Sequence, residues 1–569
     1  MTTTAHLVVR CLEAEGVDTI FGVPGEENLD LLDALLDSRI RFIPTRHEQG
    51  AAFMADVHGR LTGRAGVCLA TLGPGATNLI TGVADANMDH APLVAIAGQA
   101  STDRLHKESH QVLDLVEMFR PVTKFSTRVL SPSTVPETIR KAFKLAQSPK
   151  PGAAFIELPE NIAEMPAEGA PLTHSDGHRP GPSEQTVAAA ARLISEAKNP
   201  IILAGNGVIR AGAHEALAAF AGQLNIPVAN TFMAKGVIPF KHPMALGSVG
   251  LQSKDYVGVG FDHADLIIAI GYDVVEYHPH LWHPTRDRAI LHIDDTPAEI
   301  DEHYGVTLEV LGDIGLSLER IALRAKPHEG QAMNNVVGND VGSPSGDPRR
   351  VQYRDVLHRK LRQMMITDMG EHARDAIFPL KPQKLIWDLR TVLDLQDIVI
   401  SDVGAHKMWL ARMFRCEHPN TCLISNGFAS MGIALPGAIA AKLARPERTV
   451  VAATGDGGFL MNVQELETAK RLGTPIIVLV WNDGGYGLIE WKQMAQFGRP
   501  AFVRFGNPDF VKLAEAFGVR GYRIEPGVSL QDVLREAIAS QDICVIDVPV
   551  DYSENLKLTA RLGEMVSPM

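Results

Sequence analysis

Thr449-Val450-Val451-Ala452-Ala453-Thr454-Gly455-Asp456-Gly457-Gly458 and Pro475-Ile476-Ile477-Val478-Leu479-Val480-Trp481-Asn482-Asp483-Gly484-Gly485 are the two stretches that decide the architecture. Each opens on an apolar, β-branched run of strand length and ends in a glycine-rich turn that holds a carboxylate. Apolar runs without polar alternation predict strands covered on both faces, as in parallel sheets. Between them, residues 460–472 place Leu460, Val463, Leu466 and Ala469 on one face of a helix, so the whole reads as a βαβ unit. Asp456 and Asp483 then stand at the carboxyl ends of neighbouring strands, the edge where open α/β sheets bind ligands. Hard carboxylate oxygens at that edge suit Mg²⁺ and, through it, a phosphate. Loop carboxylates that merely cap helices would give the same residues a structural reading.

Outward from this unit the pattern repeats. Thr19-Ile20-Phe21-Gly22-Val23, Val67-Cys68-Leu69-Ala70-Thr71 and Leu93-Val94-Ala95-Ile96-Ala97 alternate with helical stretches near the N-terminus, as do Pro200–Gly205 and Ala264–Gly271 in the middle. Residues 162–186 interrupt the pattern with Pro166, Pro171, Pro180 and Pro182, and residues 326–350 do so with Gly, Asn, Ser and Pro. The expected fold is therefore α/β, with three consecutive domains, each a central parallel sheet flanked by helices. They span residues 1–161, 187–325 and 380–569, joined by linkers 162–186 and 326–379. Inside the second linker, residues 351–377 read as an extra helical segment with no assigned role. Gly205-Asn206-Gly207 invites a dinucleotide fingerprint, but Arg210 stands where its third glycine belongs.

Composition bounds the function. With 569 residues, 45% of them apolar and 21% charged, the chain can bury several cores. A net charge of −13, with no Lys/Arg run that rises above the acidic background, argues against a nucleic-acid partner. Glu13 and Glu15 stand where a signal peptide would be apolar, and no run is long enough for a bilayer, so a cytoplasmic protein without a membrane partner is expected. Cys11, Cys68, Cys416, Cys422 and Cys544 form no CxxC pair, which favours reduced thiols over disulfides or zinc.

The spacing of Asp456 and Asp483 resembles the thiamine-diphosphate (ThDP) motif, a GDG turn followed after a further strand by Asn or Asp. The resemblance implies Mg²⁺ held by Asp456, Asp483 and the main-chain carbonyl of Gly485. Thr45-Arg46-His47-Glu48-Gln49-Gly50-Ala51-Ala52-Phe53-Met54-Ala55-Asp56 is similar to the RHEQGAAxMADxxAR segment of the acetolactate synthase family. There the Glu hydrogen-bonds the cofactor's aminopyrimidine, which implies that role for Glu48. A carboxylate held against a ring nitrogen in a dry pocket favours the imino tautomer, whose own nitrogen can take the proton of the thiazolium carbon. Without the resemblance, a Glu in a first helical turn is a partner for the helix dipole.

The likeness runs along nearly the whole chain. It takes in Phe21–Gly25, Leu72–Asn78, Val83–Asp89, Ala97-Gly98-Gln99, Ser401–Trp409, Ser425–Gly432 and Asp547–Asn555. By the same resemblance Gly25, Val403, Gly404, His406 and Ala429 should touch the cofactor, as should Gly457, Gly458 and Leu488. Met431 should wedge beneath it, and Gln111, in His110-Gln111 ahead of Asp114, should line the reaction centre and hydrogen-bond a developing alkoxide. Read alone, His406 is a surface or core histidine, Met431 a gap-filler and Gly73-Pro74-Gly75 a strand-to-helix turn.

Gly271-Tyr272-Asp273-Val274-Val275-Glu276-Tyr277 with Leu291-His292-Ile293-Asp294 resembles the catabolic branch of the family, which works without flavin. The RFDDR stretch of the FAD-containing branch is missing from this sequence, which argues against FAD. Ala405, Phe428, Ala429 and Trp491 depart from family patterns and put substrate identity in question more than cofactor chemistry. The implied activity decarboxylates pyruvate and condenses the remaining two-carbon unit with a second 2-keto acid. A flavin-dependent pyruvate oxidase, another ThDP-dependent decarboxylase or lyase, and a non-catalytic scaffold stay open as alternatives. The resemblance also implies a homodimer, or a homotetramer built of dimers, with sites between subunits.

Overall fold

A computed structural model describes residues 2–173, 179–250, 256–328 and 348–555. The first sheet contains β1 (Thr19–Gly22), β2 (Arg41–Pro44), β3 (Gly66–Ala70), β4 (Leu93–Gln99), β5 (Phe125–Arg128) and β6 (Ala153–Pro159) in the order β2-β1-β3-β4-β6-β5. The second contains β7 (Pro200–Ala204), β8 (Val228–Asn230), β9 (Ala245–Ser248), β10 (Leu266–Ile270), β11 (Ala289–Asp294) and β12 (Leu308–Leu311) in the order β12-β11-β10-β7-β8-β9. The third contains β13 (Ile398–Ser401), β14 (Cys422–Ile424), β15 (Val450–Gly455), β16 (Ile477–Asn482), β17 (Arg520–Arg523) and β18 (Cys544–Pro549) in the order β14-β13-β15-β16-β18-β17. Neighbouring strands pair in parallel throughout, so each sheet gathers its strand carboxyl ends on one edge. The central strands are buried on both faces, as their unbroken apolar runs require. No helix among the described residues is long and apolar enough to cross a membrane.

β15 and β16 lie side by side with Gly455 opposite Trp481, so the expected βαβ unit is present. Its helix is not continuous over residues 460–472, however. The chain makes one helix at Asp456–Met461, breaks at Asn462, and starts another at Glu465–Leu472. The buried Asn462 amide donates to the Gly432 carbonyl at 2.9 Å and reaches Gln49 at 3.3 Å. Glu465 then accepts the main-chain N–H groups of Arg46 and His47 at 3.1 Å. Contacts to the first domain thus outweigh the local apolar period.

Those contacts belong to a broad seam. The helix Glu48–Thr62 packs on both Pro74–Met88 and Ala434–Ala444, and one continuous apolar core joins Ala51, Phe53, Ala434 and Ala438. The other face of the third sheet shares a core with the middle domain through Trp409, Phe414, Phe232 and Trp282. Residues 326–379, expected as a linker with a helical segment at 351–377, carry the helix Pro348–Gly370. Its Leu361, Met365 and Met369 are buried, and Arg362 donates to the Phe240 carbonyl at 2.7 Å, which ties it to the middle domain. At the crevice between β7 and β10, where a doubly wound sheet takes nucleotides, the chain makes close contacts with itself. The Glu276 carboxylate accepts the Asn206 N–H at 2.9 and 3.1 Å, and Gly205 and Gly207 lie against the backbone of Gly271.

Candidate active site

Asp456 leaves β15 into a buried position where its two oxygens are fixed by main-chain donors. Oδ1 accepts the Gly457 N–H at 2.8 Å, and Oδ2 accepts the Gly484 N–H at 2.7 Å. Because Gly484 follows Asp483, this bond brings the second carboxylate beside the first. Burial and the charge of Asp456 push the Asp483 carboxyl up to about 7, against the opposing pull of the Arg504 guanidinium 3.9 Å away. Beyond it, Tyr486 N–H donates to the Val503 carbonyl and Phe505 N–H to the Gly484 carbonyl, at 2.9 and 3.2 Å. The carbonyl of Gly485 accepts no such bond among the described residues. No group of three or more His, Cys, Asp and Glu side chains suited to a metal occurs among the described residues. The hard oxygens at this edge include the Asp456 and Asp483 carboxylates, the Gly485 carbonyl and the Asn507 side-chain oxygen, which is buried without a hydrogen-bond partner among the described residues.

Around it stand the other expected residues of the third domain. Val403 N–H donates to Asp402 at 2.8 Å, and Gly458 is packed against the same carboxylate. Gly404 begins the helix Ala405–Met413, and a Cβ there would sit 2.9 Å from the imidazole of His406. That ring is buried beside Trp481, its centroid 6.0 Å from the indole's, and burial holds its pKa down to about 3. Its Nε2 is buried with no hydrogen-bond partner, an uncompensated polar atom that a bound polar group would satisfy. Asp402 also accepts Gly432 and Ala434 N–H at 2.8 and 3.1 Å, which fixes the turn after Met431. Ala429 adopts φ 57°, a left-handed conformation that a residue with a Cβ takes only when its surroundings require it. Leu488 is half-buried in the helix Gly487–Phe497.

Glu48, Gly25 and Gln111 assemble separately, at the carboxyl edge of the first sheet. Glu48 opens its helix, is buried, and accepts the Asn78 amide at 2.9 Å. Gly25, beyond β1, abuts Thr71, beyond β3. Gln111, at φ 57°, rests its main chain on Gly73, where a Cβ would lie 2.6 Å from the Gln111 carbonyl oxygen. The same turn carries Gly75 past Glu48. The expected residues of one chain thus fall into two groups on two sheets, and the side-chain bond of Glu48 goes to its own domain rather than to the Asp456 loop.

Sequence reading missed several supporting residues. Asn507 donates to Asp456 Oδ2 at 2.7 Å and to Asn482 at 3.0 Å. Arg504 donates to the Asp483 carbonyl at 2.5 Å and pairs with Glu490 at 2.5 Å, bracing the same loop. Asn78 closes the family-like stretch Leu72–Asn78, and its amide holds Glu48. No local pattern marks Asn507 or Arg504, which reach the loop only after the chain has folded back.

The geometry agrees with what known proteins show. Residues 2–118 match the N-terminal TPP binding domain of thiamine pyrophosphate (that is, thiamine diphosphate) enzymes, residues 187–321 their central domain, and residues 402–548 their C-terminal TPP binding domain. An acetolactate synthase of Bacillus subtilis is 37% identical over 99% of this chain and 96% of its own length. A catabolic acetolactate synthase of Raoultella terrigena is 38% identical over 98% of this chain and 97% of its own. A probable acetolactate synthase large subunit of Methanocaldococcus jannaschii is 36% identical over 99% and 95%. Likeness of this degree, end to end, on a fold whose carboxyl edges carry the motif residues, places the chain in the acetolactate synthase family of thiamine pyrophosphate enzymes.

Proposed function

We propose that this protein is a ThDP- and Mg²⁺-dependent acetolactate synthase that decarboxylates pyruvate and condenses the remaining two-carbon unit with a second pyruvate, giving 2-acetolactate and CO₂. The observation that carries the reading is the pair of neighbouring carboxylates, buried Asp456 and half-buried Asp483, drawn together where the Gly484 N–H donates to Asp456; burial first, and the Asp456 charge second, push Asp483 up to about 7. A divalent cation there relieves their repulsion and presents positive charge to a diphosphate. Asp456, Asp483 and the Gly485 carbonyl are the ligands in this reading. His406, through its unpartnered Nε2, and the Val403-Gly404 and Gly457-Gly458 turns receive the diphosphate end, while Leu488, Ala429 and Met431 meet the rest of the cofactor.

When bound, ThDP supplies the electron sink for the bond broken as CO₂ leaves. Glu48, held by Asn78, binds the protonated ring nitrogen of the pyrimidine and keeps it oriented. Gln111, beside the Gly73 turn, donates a hydrogen bond to oxygen of the reacting keto acid. Gly25 closes the first-domain wall. The Asn206 N–H at the middle-domain crevice is already taken by Glu276, which, with the missing RFDDR stretch, supports a reading without FAD. Since the two half-sites lie on different domains of one chain, a homodimer that faces them across a two-fold axis is the smallest complete enzyme in this reading.

The test incubates the purified protein with pyruvate, ThDP and Mg²⁺ and measures 2-acetolactate. Product that disappears on chelation of the metal supports the assignment. Acetaldehyde alone would favour a plain decarboxylase, and a yellow, oxygen-consuming preparation would favour the flavin-dependent oxidase.

A further inference from the structure

The loop that carries Ala429 and Met431 hangs from carboxylates of another domain. Asp89 accepts the main-chain N–H of Asn426 at 3.1 Å and of Gly427 at 2.5 Å. Asp85 accepts the Ser425 hydroxyl at 2.8 Å and the Ser430 N–H at 3.2 Å. Both carboxylates are bound by Arg60, at 3.1 and 2.6 Å, and Arg60 also grips Asp56 at 2.7 Å. From the opposite side Lys407 donates to the Ser425 carbonyl at 3.2 Å and to the Asn426 side chain at 3.1 Å.

The three carboxylates have 0% side-chain exposure and Arg60 has 10%. Burying so much charge is a costly way to join two domains, and apolar contact would hold them as well. What charge adds is direction. Asp85 and Asp89 lie one turn apart and face the same way, and between them they take donors from both sides of Phe428 and Ala429. Asp402 takes the next donors, Gly432 and Ala434. The left-handed Ala429 is thus strung between two pinned points.

We propose that Asp85 and Asp89 are positioning residues: acting through the main chain of residues 425–430, they hold Ala429 and Met431 in the shape that receives ThDP. This rests on the reading of that loop under Proposed function. It adds that the first domain shapes the cofactor-binding loop of the third domain in its own chain.

Two variants test it. Asp89→Asn keeps the size of the side chain and removes its charge. Gly427→Ala leaves every charge in place but sets a Cβ 2.7 Å from Asp89 Oδ1 and 2.8 Å from the Met88 carbonyl oxygen, which pushes the loop off its anchor. The readouts are ThDP affinity at saturating Mg²⁺, the near-ultraviolet circular dichroism of the bound cofactor, kcat and KM for pyruvate, and the thermal midpoint of the cofactor-free protein. Each variant should weaken ThDP binding about tenfold or more, the scale of one lost charge-assisted hydrogen bond. The cofactor's dichroism should change and kcat should fall, with KM for pyruvate little moved. Unaltered affinity and dichroism in folded Gly427→Ala overturns the proposal, even if the thermal midpoint drops, because that is the signature of a merely structural cluster. If Asp89→Asn fails to fold, Gly427→Ala decides. Wild-type protein that binds ThDP and forms product while the variants behave identically sinks this inference alone. Wild-type protein that binds no ThDP sinks the reading of the site as well.

Discussion

Glu48 is nearly closed off from solvent, yet it meets one neutral donor, Asn78, and has no ion-pair partner among the described residues. A buried carboxylate with spare acceptor capacity is expensive unless something outside the chain uses it. Its identity and its place after β2 were legible in the sequence; its tether to Asn78 was not, because that contact joins two helices. Glu48→Gln keeps the volume and one acceptor but cannot stabilise a protonated ring nitrogen. ThDP should therefore still bind to the variant, by titration of its fluorescence or dichroism, while turnover falls by about 10² to 10⁴, the scale of a lost acid-base function. Near wild-type turnover would remove Glu48 from the reaction.

The helix Asn206–Arg210 of the middle domain shows what a carboxylate does at a ligand edge where the chain contacts itself. Burial and the neighbouring Asp273 push Glu276 up to about 8, and Thr231 hydrogen-bonds the same group. Burial opposes the ionisation of Asp273 too, but Arg210, with His90 and Lys150, holds it well below the usual range. The sign for Glu276 follows from its raised value. The unfolded chain gives up this proton near 4.5 while the folded chain keeps it to about 8, so stability declines as pH rises through that window. Glu276→Gln cannot ionise, so its stability should decline less steeply over the same window in denaturant unfolding at a series of pH values. Parallel slopes for the two proteins would mean that Glu276 is ionised in the fold.

Across the whole molecule, large apolar side chains lie open beside the two half-sites of a single chain. Phe428 is 46% exposed, Tyr486 40%, Ile489 48% and, next to the Gln111 segment, Leu113 46%. A second chain facing these edges would cover such side chains. If the half-sites close between two chains, Glu48→Gln and Asp456→Ala are each inactive alone, and each damages a different half. Mixing them after reversible dissociation yields heterodimers with one doubly defective site and one intact site. Up to about half the wild-type activity per heterodimer should return if the two sites work independently. If subunits are shown to exchange and nothing returns, each chain builds its site alone.

The order of residues prescribes the three parallel sheets, the strand ends that carry Glu48, Asp456 and Asp483, and the family, because apolar runs, turn glycines and motif spacing are local features of the chain. It misleads at residues 460–472, where one apolar period conceals a break made by Asn462 and Glu465 in reaching the first domain. It is silent on Asn507 and Arg504, and on the Asp85–Asp89 anchor, although Val83–Asp89 is a family-like stretch. That Asp85 meets Ser425, and Asp456 meets Gly484 and Asn507, is settled by tertiary packing. Such bonds join residues far apart in the chain, and their energy depends on where packing of the sheets and helices places donor and acceptor, so no periodicity or spacing along the sequence encodes them.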